Sequence, residues 1–444
     1  MNTVGMKNKK IRIINGILVL PSSVIAENLE IENGRIVYIG TDSLLDHPGE
    51  IIDAGGNYIL PGFIDIHTNG IAGFDLTNGV YDIQSGKFLD DEEEYKNGLK
   101  KALSHYVKTG ATRVILTSLA APITQIEQNF GYVNDFKNDE SQNPLKDVLE
   151  GLYVEGTFMK LDDYRGAHNP EYFNEPSITL FDELQKASGG LIRVVNVVPE
   201  WEQPAYQLIH YLSSKNIICA AGHTGATGHQ YEQAIQNGLC LAVHFLNGPT
   251  GSSSKSFNNG GAVETVLRSD EMCLELIVDG YHVDKSYIRD TIKRKGFDKV
   301  IAITDSMFAA DMPDLMEFEV FGVKGKVGQN GEYLQVADRE NALFGSKLTM
   351  DKAFTNLLSW LTTPISGVWN AKHESLDFEE ALVKTSILCS ANPAKVLGID
   401  GTDNATGSIE IEKCADLVIA NISKSNGDYH MTIDTVLSNG RKLV

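Results

Sequence analysis

Between Asn216 and Asn247 the chain reads NIICAAGHTGATGHQYEQAIQNGLCLAVHFLN, and this stretch narrows the available folds more than any other. Ile217 to Ala221 is a short apolar run bounded by polar residues, the pattern of a strand buried on both faces. It ends in Gly222-His223. Thr227 to Asn237 is helical in composition, and Gly238 follows as a stop signal. A second apolar run, Leu239 to Val243, ends in His244. Successive buried strands joined by a helix form a parallel βαβ unit. In a parallel α/β barrel the C-terminal strand ends gather on one face. His223 and His244 are therefore expected side by side in space.

The same alternation runs through the middle of the chain. Tyr58–Ile66, Arg113–Thr117, Leu152–Val154, Leu191–Val198, Ile217–Ala221, Leu239–Val243, Leu274–Val278 and Val300–Thr304 are eight apolar runs, mostly separated by helix-like segments. Eight is the barrel number. Six of the runs lead into His67, Glu155, His223, His244, Asp279 or Asp305. After Asp305 the chain reads as irregular, then as helical near Thr349–Leu361 and Glu379–Val396. The two ends have a different texture, with Asn15-Gly16 and Asn33-Gly34 as hairpin signals near the N-terminus and Asn439-Gly440 near the C-terminus. Neither end has enough strands for its own core. The expected architecture is α/β: a TIM-like (β/α)8 barrel over residues 61–400, with a small β-sandwich built from residues 1–60 and 401–444.

Lys and Arg number 38 against 59 Asp and Glu, a net charge of −21. That excess disfavours nucleic acid and anionic membrane as general partners, and an anionic substrate would need a local basic patch. The five cysteines, Cys219, Cys240, Cys273, Cys389 and Cys414, are odd in number and form no CxxC pair. Cys219, Cys240 and Cys273 sit inside apolar runs, and the cysteines read as buried free thiols of a reducing compartment. The N-terminus lacks a sustained apolar core and a small-residue cleavage site, and no run is long enough to span a membrane. A cytoplasmic location is expected.

Glu155, His223 and His244 form a His2Glu set, which suits a catalytic zinc with one position left for water. Asp305, after the last run, is placed to take a proton from that water and hand it to a leaving group. Its alternative role is to cap a helix over Ser306–Ala310. His168 and His282 follow strand ends and are read either as groups that orient a substrate or as ordinary loop histidines.

These residues carry a resemblance. Pro61-Gly62-Phe63-Ile64-Asp65-Ile66-His67-Thr68-Asn69-Gly70 resembles the first strand of the amidohydrolase superfamily. Val154-Glu155-Gly156, Gly166-Ala167-His168-Asn169, Ala221-Gly222-His223-Thr224, His244 with Asn247, Asp279 to Asp284, Thr304 to Met307, Gly345 to Met350 and Ala391 to Ala394 resemble, within it, the N-acetylglucosamine-6-phosphate deacetylase family. The resemblance spans nearly the whole chain. It implies hydrolysis of N-acetylglucosamine 6-phosphate to glucosamine 6-phosphate and acetate. The alternative is a related N-acyl amino sugar or another cyclic amide. It implies one divalent metal on Glu155, His223 and His244: zinc, or the iron, cobalt or manganese that occupy similar N/O sites. It makes Asp305 the acid/base and gives His168 the acetyl carbonyl. Ala167, Asn247, Gly248, His282 and the Leu343-Phe344-Gly345 backbone become substrate contacts. It also implies a homodimer.

Three departures stand out. His67-Thr68-Asn69 lacks the second histidine of a His-x-His pair, which favours a single metal. Tyr153 and Thr157 flank Glu155 where the family has His and Pro. Lys255 stands where the family has a phosphate-binding Arg, keeping the charge but losing the bidentate fork.

Overall fold

The computed structural model describes residues 9–45, 47–139, 141, 143–247 and 256–444. Its centre is an eight-stranded, all-parallel sheet whose strands pair in sequence order. The strands are β1 (Phe63–Thr68), β2 (Ala111–Ser118), β3 (Leu149–Phe158), β4 (Ile192–Val197), β5 (Ile218–Ala221), β6 (Leu239–Ala242), β7 (Cys273–Ile277) and β8 (Val300–Ile303). A helix follows each one: α1 (Glu92–Lys108), α2 (Ile123–Asn138), α3 (Ile178–Ala187), α4 (Gln203–Ser214), α5 (Gly228–Gln236), α6 (Ala262–Arg268), α7 (Lys285–Lys295) and α8 (Met350–Leu361). The apolar strand runs and the inner helix faces share one continuous core. Helix α5 starts where Thr227 and Gln230 satisfy each other's backbone N–H groups in a capping box.

The first and last strands are stitched together. Asp65 on β1 accepts from the Thr304 hydroxyl at 2.5 Å and the Thr304 N–H at 3.3 Å. The Asp305 N–H reaches the His67 carbonyl at 2.8 Å. The Thr68 and Ser306 hydroxyls lie 2.8 Å apart. Burial raises the Asp65 carboxyl to about 7 against the pull of these donors.

The first apolar run divides in two. Tyr58–Pro61 joins the sheet of the chain ends, and β1 begins at Phe63. Gly62 is the crossing point: a β-carbon there would meet the Thr112 side chain at 2.3 Å. Tyr58–Pro61 pairs antiparallel with Leu417–Ala420, so strands from both chain ends share one eight-stranded sheet. That sheet has its own apolar cluster, including Ile13, Leu29, Ile59 and Leu417.

Two small antiparallel sheets have no counterpart in the sequence reading. One spans four short strands between Gly70 and Leu89; the other, Glu317–Val320, Val323–Val327 and Leu334–Val336, fills the stretch read as irregular. Their strands are too short for a pattern of two to stand out. Ser306–Ala310 forms no helix, so Asp305 is not a helix cap there. The thiols are free as expected, but Cys240 and Cys273 are only partly buried. Among the described residues no helix is long and apolar enough to cross a membrane.

Arg113 on β2 ties the parallel sheet to the C-terminal strands. Its guanidinium pairs with Asp416 at 2.9 Å and donates to Ser438 at 2.9 Å and Asn439 at 3.0 Å. Arg113→Ala strands the buried Asp416 charge and is expected to cost about 3–5 kcal/mol. Urea unfolding checks this, and an unchanged midpoint contradicts it.

Candidate active site

The strand ends deliver the side chains. His67 lies on β1 and Glu155 on β3; His223, His244 and Asp305 lie just past β5, β6 and β8. The last three sit in the left-handed region, with φ of 53°, 25° and 49°. Each such non-glycine residue costs roughly 1–3 kcal/mol and persists only where its surroundings hold it. The His244 N–H donates to Glu275 at 3.1 Å. The Asp305 carbonyl accepts from the Ser346 N–H at 2.8 Å.

Glu155 is the focus. It is only 2% exposed, and its carboxylate meets four imidazoles: His244 Nε2 at 3.0 Å, His223 Nε2 and His67 Nε2 at 3.5 Å, and His168 Nε2 at 3.6 Å. Burial opposes its charge, but the imidazoles outweigh burial and hold the carboxyl well below its usual range. Burial opposes a charge on His67 too; there the Glu275 and Glu155 carboxylates prevail and raise the imidazole well above its usual value.

The tautomers follow from the partners. His223 Nδ1 lies 2.8 Å from the Tyr164 carbonyl, which only accepts, so Nδ1 carries the hydrogen. Its Nε2 lone pair is left for the site. His168 is the opposite case: its Nδ1 accepts the Ala120 N–H at 3.1 Å, so its Nε2 carries the hydrogen. Burial, reinforced by the neighbouring imidazoles, lowers this group to about 3 despite Glu155, so His168 stays a neutral donor.

Glu155, His223 and His244 each offer a ligand atom, and these atoms lie within 4.8 Å of one another. The donors fit a divalent ion: one carboxylate and two imidazoles, buried, with no Lys or Arg paired to the carboxylate among the described residues. His244 Nδ1 and His67 Nε2 are buried without a hydrogen-bond partner among the described residues. Asn69, at the position of the absent second histidine, donates to Asp305 Oδ1 at 2.7 Å.

A cavity of about 430 Å³ opens over this cluster. Ala167, His168, Asn247, His282, Leu343, Phe344 and Gly345 line it together with Glu155, His223, His244 and Asp305. His282 Nδ1 lies 2.6 Å from Asp279, and its Nε2 has no hydrogen-bond partner among the described residues. Gly248 and Lys255 lie outside the described residues. The Tyr153 ring lies beside His67, with centroids 4.8 Å apart and planes tilted by 58°.

Four participants escaped the sequence reading. Glu275 is fully buried inside the β7 run and meets His67 Nδ1 at 2.9 Å. A carboxylate in the middle of an apolar strand was the available signal. Asn69 was read only as a missing ligand. The Tyr164 carbonyl and Arg339, which also lines the cavity, carry no mark in the sequence.

No protein-family model matches the chain. An N-acetylgalactosamine-6-phosphate deacetylase of Escherichia coli O157:H7 is 29% identical over 376 residues, 84% of this chain and 85% of its own. An N-acetylglucosamine-6-phosphate deacetylase of Bacillus subtilis strain 168 is 27% identical over 414 residues, 91% and 92% of the two chains. Among solved structures, the N-acetylglucosamine-6-phosphate deacetylase of Pasteurella multocida has a TM-score of 0.76 at 25% identity, covering 98% of this chain and 99% of that one.

Glu155→Gln, His223→Ala and His244→Ala are each expected to lose most of the bound metal, measured by elemental analysis of the purified proteins. The stoichiometry of the parent is expected near one per chain, since the Asn69 amide serves Asp305. Full metal retention in all three variants contradicts the assignment.

Proposed function

We infer that this chain, which resembles the N-acetylglucosamine-6-phosphate deacetylases of the amidohydrolase superfamily over most of its length, hydrolyses the N-acetyl group of N-acetylglucosamine 6-phosphate. The products are glucosamine 6-phosphate and acetate. The observation that carries the reading is the convergence, in one cavity, of a neutral histidine donor, a His2Glu set and Asp305.

The residues divide the work. A divalent metal, zinc by preference of the His2Glu set, would be held by Glu155, His223 and His244 and would supply Lewis acidity and a lowered pKa for water. His168 donates its Nε2–H to the acetyl carbonyl oxygen, where negative charge develops. Asp305 accepts the proton of the attacking water on the oxygen that Asn69 leaves free. The same carboxyl then returns it to the amine nitrogen as the C–N bond breaks. The tautomer of His168 matters here, because an acceptor at that position would repel the developing oxyanion. His282 Nε2 and Asn247 stand on the cavity wall to receive sugar hydroxyls.

The stitching of β1 to β8 supports a closed (β/α)8 barrel at residues 61–400. The shared sheet of the chain ends supports residues 1–60 and 401–444 as one sandwich domain. A cytoplasmic homodimer completes the reading. The galactosamine relative supports a second substrate, the C4 epimer N-acetylgalactosamine 6-phosphate.

The direct test is release of acetate from both hexosamine phosphates, with metal analysis of the same sample. Failure on both contradicts the reading. Asp305→Asn is expected to keep fold and metal while turnover falls by about 10²-fold or more, as for a removed general acid/base. Near-native turnover excludes Asp305 from the proton path. Lys255→Ala is expected to raise KM for the phosphorylated sugar more than for an unphosphorylated one.

A further inference from the structure

Strand β4 sends nothing into the cavity: among the described residues, neither it nor the Pro199–Trp201 turn after it lines the wall. Yet this segment carries two buried polar side chains, Asn196 and Glu200. Their partners lie at the ends of the neighbouring strands that bear the presumed metal ligands. Asn196 is fully buried, so its amide must find partners inside the protein. Its Nδ2 donates to the Glu155 carbonyl at 3.0 Å, and its Oδ1 accepts the Gly222 N–H at 3.0 Å. One amide thus bridges the backbone of Glu155, on β3, to the residue just before His223, past β5.

Glu200 works from the other side. It is 9% exposed, and its carboxylate accepts the Thr224 hydroxyl at 2.6 Å and the Gly225 N–H. The Thr224 oxygen in turn accepts the Ala226 N–H at 3.1 Å. The turn that carries Glu200 is itself anchored to the end of β3. Lys160 Nζ donates to the Glu200 carbonyl at 2.8 Å and lies over the Trp201 ring, 4.6 Å from its centroid. Trp201 Nε1 donates to the Met159 carbonyl at 3.2 Å. The chain is therefore gripped at residue 222 and again at residues 224 and 225. Between them stands His223, with φ of 53°. A histidine in that conformation persists only where its surroundings over-determine it. None of these bonds uses a side-chain atom of Glu155 or His223, so both remain free for an ion.

We propose that Asn196 and Glu200 are positioning residues that hold His223 in its left-handed, ligating conformation and so set the affinity of the metal site. The proposal rests on the assignment of the metal to Glu155, His223 and His244.

The test measures zinc affinity by competition with a chromogenic chelator, on the parent, Asn196→Leu, Glu200→Ala and Glu200→Gln. The urea midpoint of each metal-free protein is measured beside it. Asn196→Leu and Glu200→Ala are each expected to weaken zinc binding by about 10–100-fold, the usual loss when a group that orients a ligand is removed. Glu200→Gln keeps an acceptor oxygen and nearly the same shape, and is expected to fall between Glu200→Ala and the parent. A residue that only stabilises the fold lowers the urea midpoint of the metal-free protein and leaves the zinc affinity of the folded molecules unchanged, and that outcome overturns the proposal. Should the two truncated variants fail to fold, Glu200→Gln decides: weakened zinc binding supports the proposal, and parental affinity overturns it. If the parent itself binds no zinc, the metal assignment fails and the proposal falls with it. If the parent binds zinc and the variants bind it equally well, the proposal alone is overturned.

Discussion

The site depends on a single buried anion. Glu155 has lost nearly all its hydration, and an isolated carboxylate in such a place would take up a proton. Imidazoles from β1, from the ends of β5 and β6, and from the loop after β3 surround it instead. Each is a weaker and more adjustable partner than an arginine fork. That arrangement leaves the carboxylate charged while keeping its lone pairs available to an ion, which a bidentate Arg partner would consume.

A common rule governs the surrounding histidines. In His67, His223 and His282 the Nδ1 side is engaged by the fold: by Glu275, the Tyr164 carbonyl and Asp279 respectively. Nε2 is thereby aimed at the site. His168 is turned the same way but with its hydrogen reversed, because an N–H rather than an oxygen meets its Nδ1. That one change of partner makes it a neutral donor where His223 offers a lone pair. Among the described residues, nothing partners Nδ1 of His244. Its position is held through the backbone, by the bond from its N–H to Glu275. Glu275 thus supports two of the histidines that surround Glu155, and partners of this kind commonly set ligand geometry.

Rigidity is concentrated where the backbone is strained. The left-handed conformations of His223, His244 and Asp305 turn three side chains over the same cavity at the ends of their strands. Glycine would adopt them with less strain, but glycine has no side chain to turn toward the cavity. The cost is met by the sheet behind them: β1 and β8 are cross-linked through Asp65, Thr304 and Ser306, and the adjacent loops are tied down by buried backbone hydrogen bonds.

The sequence by itself determined the strand and helix alternation, the parallel sheet, and the grouping of Glu155, His223, His244 and Asp305. It could do so because buried parallel strands are short apolar runs, and because their C-terminal ends meet on one face whatever the loops do. The resemblance added His168, His282 and Leu343–Gly345, which line the same cavity. Only the tertiary structure decided the rest. Gly62 splits an apolar run that looks continuous, since the clash it avoids is with Thr112, fifty residues on. The hydrogen on His168 depends on the Ala120 N–H, and the role of Asn69 on Asp305; neither partner is a neighbour in the chain. The two small sheets have strands too short to leave a pattern. Arg339 looks like any loop arginine, because lining a cavity is a property of three dimensions and leaves no trace in local sequence.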